Sequence, residues 1–270
     1  NVLRLQGGTS YAFNSVVGAQ ATMGELLSAL PAGIIGRVDY QHALDVALDF
    51  GALSSATREE LLSGANLVAV GSELDGYEIL QFESAELTGN NTYRLRGLLR
   101  AQSGSFAEML PLRIAGQRFV LMNGAVLQVQ ATLSESVLPS IWRIGPANLD
   151  HGHPAYVTAV VPPTLKALRP LRPVHVRAKP AVDGVLLSWI RQTRSGGDAW
   201  EIENVPLSED SERYQLQVMN GANVGRSWST SAPQQFYSSA EMLADFGTPP
   251  ATLTLRVAQV SASFGAGTIL

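Results

Sequence analysis

The chain has 270 residues, a net charge of −4 at pH 7 and no cysteine. This length exceeds what one compact β domain usually needs, so we expect two domains. The acidic balance argues against nucleic-acid binding, and the lack of cysteine excludes disulfides and thiolate metal sites. No apolar run approaches the ~18 residues that a membrane span needs. The chain begins at Asn1 rather than Met, and we expect it to be a processed product or an excised piece of a longer protein.

The first part of the chain mixes helical and strand patterns. Residues 22–30 predict a short helix, because apolar residues recur at i, i+3, i+4 and i+7 and Thr22 and Glu25 have capping-box spacing. Period-two alternation over residues 40–49 predicts a half-buried strand. Residues 57–63 predict a second short helix with a glycine at its C-terminal end.

The clearest β signal lies at residues 76–105. Two apolar runs flank Gly89-Asn90-Asn91, where Gly and Asn reach positive φ at little cost, so this stretch predicts a β-hairpin. No catalytic group stands out in it. A turn at residues 115–117 follows, and Asn123-Gly124, a strong hairpin signal, separates the strand patterns of residues 119–122 and 127–129. Residues 141–144 predict another short strand.

A proline-rich segment at residues 145–173 divides the chain, because prolines withhold the N–H groups that a sheet needs. We therefore predict a β-rich domain with short helices over residues 1–168 and a second β domain over residues 169–270. The second domain has at least five short strand patterns with turn signals about ten residues apart, which predicts a β-sandwich. A short helix at residues 239–245 would be an insertion. An early Trp strand, a middle Tyr strand and the late LTLRVAQVS strand look like a fibronectin type III module.

The histidines cluster at one place, Asp150-His151-Gly152-His153. Two imidazoles with an acidic neighbour can bind a metal ion. The segment precedes a proline, however, and has no second acidic or histidine cluster nearby in sequence. We therefore predict a polar loop and no metal site, and place His42 and His175 at solvated positions.

A second cluster, Arg191, Arg194, Asp198 and Trp200, surrounds a Ser-Gly-Gly turn. Its guanidinium and aromatic groups could bind a sugar or a carboxylate. The alternative, which we favour, is a turn held by an Arg–Asp pair with the tryptophan packed on the sandwich. The acidic run at residues 209–212 is predicted to be a solvated loop, because sequence cannot show the two facing carboxylates that a glycosidase needs.

Several runs resemble the large tail-tip (megatron-like) proteins of gene transfer agents and related long-tailed phages. The central runs are Gly76-Tyr77-Glu78-Ile79-Leu80-Gln81-Phe82 and Leu98-Leu99-Arg100-Ala101-Gln102-Ser103-Gly104, with Tyr77 where the family often has Trp and Ala101 where it often has Gly. Further runs of the resemblance lie at residues 168–175, 188–194, 197–200, 205–207, 244–247 and 257–261. The resemblance covers roughly residues 20–265.

The resemblance implies a structural and interaction component of a tail tip or baseplate. It implies a location in the tail of a virion or phage-like particle made in the bacterial cytoplasm. The implied partners are hub and fibre proteins and the host surface, with three copies around the tail axis. We expect no enzyme activity and no cofactor, because no phosphate-binding loop, nucleophile elbow or zinc-protease motif is present. The alternative is a carbohydrate-binding module or a fragment of a cell-wall-degrading tail enzyme.

Overall fold

The computed structural model describes residues 1–129, 132, 138–162, 165, 168–196, 205–267 and 269. The protein is mainly β, as predicted. It divides into two compact units, Asn1–Thr164 and Leu165–Leu270. Among the described residues, no helix combines the length and apolar character needed to cross a membrane.

Unit 1 contains a closed six-stranded barrel in the order β10-β3-β5-β8-β7-β6. Its strands are β3 (Met23–Leu26), β5 (Leu44–Phe50), β6 (Leu67–Ser72), β7 (Gly76–Gly89), β8 (Thr92–Gln102) and β10 (Arg118–Leu121). Two short strands, β4 (Leu30–Pro31) and β9 (Leu112–Arg113), pair beside it. Alternate residues of the barrel strands fill one apolar core, which includes Leu44, Val46, Phe82 and Phe119.

The predicted central hairpin is confirmed as β7 and β8, which turn at Asn90 and Asn91. Asn91 has a φ of 52°, the left-handed conformation that the turn signal anticipated. The predicted strand at residues 40–49 is confirmed as β5, although it begins later than the pattern suggested.

The predicted helix at residues 22–30 is wrong, because that segment contains β3 and β4. Its apolar spacing fits a helix, but the tertiary environment imposes strands. An ideal Cβ on Gly24 would lie 1.9 Å from the carbonyl oxygen of Ala47, so this glycine lets β3 approach β5 closely. Leu27, which a helix would have buried, is 49% exposed.

The Asn123-Gly124 dipeptide forms a turn, but the predicted second strand at residues 127–129 is wrong. The reason is topological. Strand β10 already pairs with β3 on one side and β6 on the other. A closed barrel has no free edge, so the residues after the turn cannot pair back with β10.

The helix predicted at residues 57–63 is confirmed as α1 (Arg58–Leu62). The side chain of Thr57 accepts a hydrogen bond from the Glu60 N–H, and the Glu60 side chain accepts one from the Thr57 N–H. Gly64 follows the helix with a φ of 98°. The N–H of Ala65 then donates to the carbonyl of Glu60, which satisfies one of the last helical carbonyls.

Unit 1 also contains a four-stranded antiparallel sheet in the order β12-β11-β1-β2. Its strands are β1 (Val2–Gly7), β2 (Ser10–Ser15), β11 (Ser140–Ile144) and β12 (Val157–Val161). Only β11 was predicted. Arg4 obscures the apolar alternation of β1, because this arginine is buried with its guanidinium 5.4 Å from the ring centre of Trp142. Strand β12 lies inside the segment whose prolines suggested a linker.

Unit 2 contains a three-stranded sheet, β13-β14-β17, and a four-stranded sheet, β16-β15-β18-β19. The strands are β13 (Val174–Ala181), β14 (Gly184–Ile190), β15 (Tyr214–Asn220), β16 (Asn223–Thr230), β17 (Gln234–Ser238), β18 (Thr254–Ser261) and β19 (Gly265–Ala266). Residues of both sheets share one apolar cluster, which includes Leu187, Trp189, Tyr214 and Tyr237. The fibronectin type III assignment stays a prediction.

The predicted helix at residues 239–245 is confirmed as α2 (Ser239–Phe246). It begins with a complete capping box between Ser238 and Glu241. Arg226 of β16 holds its last turn, donating to both carboxylate oxygens of Asp245 at 2.6 and 2.9 Å. The paired guanidinium lowers the pKa of Asp245 below its ordinary value despite partial burial.

One position near the end of β8 has a backbone conformation that disfavours its residue. Ala101 has a φ of 54°, in the left-handed region that glycine adopts without a steric penalty. We expect Ala101→Gly to raise the free energy of unfolding by about 0.5–1 kcal/mol, because the strain relieved exceeds the added freedom of the unfolded chain. Ala85→Gly in the regular part of β7 is the control and should lower it. Urea unfolding of both variants and the wild type measures these changes in the free energy of unfolding. A lower free energy of unfolding for Ala101→Gly would contradict the prediction.

Candidate functional site

The most unusual feature of the barrel is an ion pair in its interior. Glu78 of β7 and Arg100 of β8 have side chains that are 0% and 1% exposed. The guanidinium donates to both carboxylate oxygens, from Nε to Oε1 at 2.7 Å and from Nη2 to Oε2 at 2.9 Å. This two-bond geometry is the strongest form of an Arg–carboxylate contact. Both residues belong to the central runs that resemble the tail-tip proteins.

The same ion pair is connected to the surrounding backbone. Nη1 of Arg100 donates to the carbonyl of Pro31 in β4 at 2.9 Å. The N–H of Ala101 donates to Oε1 of Glu78 at 3.2 Å. The pair therefore links β4, β7 and β8, and its polar atoms find protein partners in place of water.

A second buried arginine, Arg113 of β9, lies beside this pair. Its Nη1 donates to Oε1 of Gln117 and its Nη2 donates to the carbonyl of Glu108, both at 2.5 Å. The amide of Gln117 in turn donates to Asp75 at 2.7 Å. Burial lowers the pKa of the Arg113 guanidinium, while the negative charges of Glu78 and Asp75 oppose that shift. Two cations and their acceptors thus share one protein interior.

A buried aspartate completes the arrangement. Asp39 is 1% exposed, and its carboxylate accepts from the N–H groups of Gln41 and His42 and lies 2.7 Å from Nδ1 of His42. An ideal Cβ on Gly33 would lie 2.5 Å from the Asp39 carboxylate and 2.8 Å from Nη1 of Arg100, so a backbone without a side chain separates the two groups. We call Asp39, Glu78, Arg100, Arg113 and Gln117 the buried polar cluster.

The stability of this region should depend on pH through Asp39. Burial raises the pKa of its carboxyl, but the hydrogen bonds from His42 and the backbone outweigh burial and lower it overall. Because the folded-state pKa lies below the unfolded value, the stabilisation is present above about pH 4 and is lost as the pH falls through the folded-state pKa. We expect Asp39→Asn to be less stable than the wild type at pH 7, with the difference narrowing towards pH 2. Thermal unfolding of both proteins across this pH range measures the difference in stability. A stability difference that does not change with pH would contradict the role given to the Asp39 carboxyl.

The buried polar cluster is suited to holding the barrel together rather than to chemistry. Glu78, Arg100 and Arg113 are at most 1% exposed, so a substrate in solution does not reach them. Their charges are directed at one another and at backbone carbonyls. The two runs that hold Glu78 and Arg100 are distinctive in the sequence, but a contact between these two side chains was not predicted. A charged residue in an otherwise apolar strand pattern is the signal that could have indicated it.

The predicted Arg191 cluster is described only in part, because Asp198 and Trp200 lie outside the described residues. Arg191 donates to the carbonyls of Val205 and Pro206. Arg194 donates to the carbonyl of Ser208 and, at 2.6 Å, to Glu209. Both guanidinium groups therefore hold the segment that precedes β15.

The acidic run at residues 209–212 is a loop, as predicted, but it is only partly solvated. The Glu209 side chain is only 4% exposed and pairs with Arg194. Glu212 accepts a hydrogen bond from the hydroxyl of Tyr214 at 2.6 Å. Burial and this carboxylate together raise the pKa of Tyr214. Of the run's acidic residues, Asp210 is exposed.

The histidine segment forms a turn after β11. Nδ1 of His151 lies 3.6 Å from the Asp150 carboxylate, and Nδ1 of His153 accepts from the Ala155 N–H. Within the described part of the chain, no three His, Cys, Asp or Glu side chains are grouped closely enough to hold a metal ion. His42, predicted at a solvated position, instead contacts the buried Asp39. His175 is exposed, as predicted.

These features define a mainly β protein whose first unit contains a closed barrel with a charged pair inside it. Residues 21–120 match the protein family described as Rcc01698-like, C-terminal. The matched range begins just before β3 and ends within β10, so it corresponds to the barrel and the buried polar cluster. No curated protein matches the chain.

Proposed function

We propose that the protein is a structural and interaction component of a phage-like tail tip, of the kind found in gene transfer agents. The observation that carries this proposal concerns the runs that resemble tail-tip proteins: their polar side chains make contacts that hold the barrel together. Glu78 and Arg100 pair inside the barrel, and the Gln81 amide donates to the carbonyls of Leu61 and Ala65 at 2.7 Å. The polar residues of these runs therefore build the barrel, which suits a subunit that serves as a scaffold.

The surface of unit 1 supports a role in contacts between subunits. Several large apolar side chains of unit 1 are exposed and therefore available for contacts with partners. Examples in loops and strands are Phe13, Tyr40, Leu74 and Leu87, at 60–93% exposure. The hub and fibre proteins of the tail are the proposed partners, with three copies of the chain around the tail axis and the host surface as a further contact.

Labelling of intact particles tests this proposal. A short epitope inserted at Gly221, in the exposed turn between β15 and β16, avoids both apolar cores. We expect gold-labelled antibody to mark one end of the tail in electron micrographs of purified particles, and untagged particles to remain unlabelled. Absence of the chain from purified particles would contradict the proposal. Binding of the purified chain to an envelope glycan on an array, without particle labelling, would favour the carbohydrate-binding alternative.

A further inference from the structure

Strand β12 is an edge strand without the usual protection against pairing. It lies at one end of the sheet β12-β11-β1-β2, so one side of its backbone pairs with no strand among the described residues. Its sequence, Val157-Thr158-Ala159-Val160-Val161, contains no charge and no proline. Val157, Val160 and Val161 are 66%, 63% and 48% exposed. A flat, exposed, β-branched edge of this kind is a template for another strand.

Three other edge strands of the protein, β2, β13 and β16, carry protective features that β12 lacks. Strand β13 has Arg177, Lys179 and Pro180 and an irregular register. Strand β16 has Arg226 and faces a bulge in its pairing with β15. Strand β2 pairs with β1 through two irregularities. The pairing of β12 with β11 is continuous over all five residues. Edge strand β17 also lacks charge and proline and pairs continuously with β14, but two of its five residues are glutamines. What distinguishes β12 from it is its three exposed valines.

The sequence of β12 is complementary to itself. In an antiparallel pair of two copies centred on Ala159, Val157 faces Val161 of the second copy and Thr158 faces its Val160. Ala159 faces itself, and its small side chain fits at a two-fold axis. This register pairs all five residues and brings β-branched side chains opposite one another, which favours pairing, with no like charges opposed. Such a contact uses the same surface on both copies and so closes at two.

We propose that β12 is a homotypic docking edge, on which a second copy of this chain adds its own β12 to give a continuous eight-stranded sheet. The occupant is a second copy because the edge is uncharged and self-complementary. The contact does not depend on a role in a tail. It is two-fold, whereas the ring proposed above is three-fold, so either proposal can fail without the other.

Paired charge variants test both the contact and its register. Thr158 and Val160 are exposed in the single chain, so charges there leave the fold intact. In the proposed dimer, Thr158→Lys/Val160→Lys places each lysine opposite a lysine of the second copy, and Thr158→Asp/Val160→Asp does the same with aspartates. The control is Ser227→Lys/Ser229→Lys, which adds the same charge to exposed positions of the edge strand β16.

Light scattering over about two orders of magnitude in concentration gives the masses. We expect the wild type and the β16 control to approach twice the chain mass of 28.8 kDa as concentration rises. Each double variant should remain at one chain mass, and an equimolar mixture of the two should regain the dimer, because every lysine then faces an aspartate. A wild type that stays monomeric throughout, or a dimer that the lysines do not affect, would overturn the proposal. A mixture that stays monomeric would overturn the register.

Discussion

Arg100→Met is expected to lower the free energy of unfolding of the barrel by about 3–5 kcal/mol, because it leaves the Glu78 carboxylate buried without its cation. The guanidinium also holds the carbonyl of Pro31, so its loss removes a link between β4 and β8. Hydrogen exchange of peptides from β7 and β8 gives the local free energy directly. This readout is needed because a chain of two units need not unfold in one transition.

The matched control for Arg100 lies on the same strand. Arg94 donates to both carboxylate oxygens of Asp45 at 2.7 and 3.0 Å, the same geometry as the buried pair, but its side chain is 43% exposed. Water screens such a pair, so Arg94→Met should cost only a small part of what Arg100→Met costs. Equal losses for the two variants would contradict the role given to burial.

A double variant distinguishes the loss of the ion pair from the cost of leaving one buried charge without its partner. Replacing Glu78 and Arg100 together by leucine and methionine removes both charges and leaves no unpaired ion in the interior. Buried pairs replaced in this way often lose little stability. We expect the double variant to be more stable than Arg100→Met alone, and the coupling between the two sites then measures the interaction.

Gly24→Ala is expected to lower the free energy of unfolding of unit 1 by about 3 kcal/mol, at the upper end of the cost of overpacking. The added methyl group would lie 1.9 Å from the carbonyl oxygen of Ala47 and 2.7 Å from the Cα of Leu48. Both atoms are backbone atoms of the paired strand β5, so no side chain can turn aside to make room. Strands β3 and β5 would have to separate, which opens the barrel.

The control for Gly24 is Gly124→Ala. Gly124 lies in the turn after β10, and an added Cβ would meet no atom within 4 Å. We expect this variant to unfold at nearly the same urea concentration as the wild type. If the two alanine variants lost equal stability, the effect would come from glycine content rather than from the approach of β3 to β5.

Local signals in the sequence determined the parts of the fold that depend on neighbouring residues. The Gly89-Asn90-Asn91 turn, the capping boxes at Thr57 and Ser238 and the alternation within β5 each specify a conformation through contacts of a few residues. The mainly β character follows from the number of such strand patterns. These elements agree with the structure because no distant contact opposes them.

Tertiary structure decided the elements whose local pattern was ambiguous or incomplete. The spacing of apolar residues at 22–30 fits a helix, but closing the barrel requires β3 there, next to β5. The alternation at residues 127–129 fits a strand, but both sides of β10 are already paired. Strand β1 escaped detection because its buried Arg4 contacts Trp142 from a strand far along the chain.

The candidate site shows the same division. The sequence by itself determined that residues 76–82 and 98–104 are distinctive and that they lie on two paired strands. Only the tertiary structure decided that Glu78 and Arg100 face each other inside the barrel and that Asp39 and Arg113 join them. The physical reason is that a buried charge is tolerated only beside its partner, and these partners are brought together by barrel closure rather than by sequence spacing.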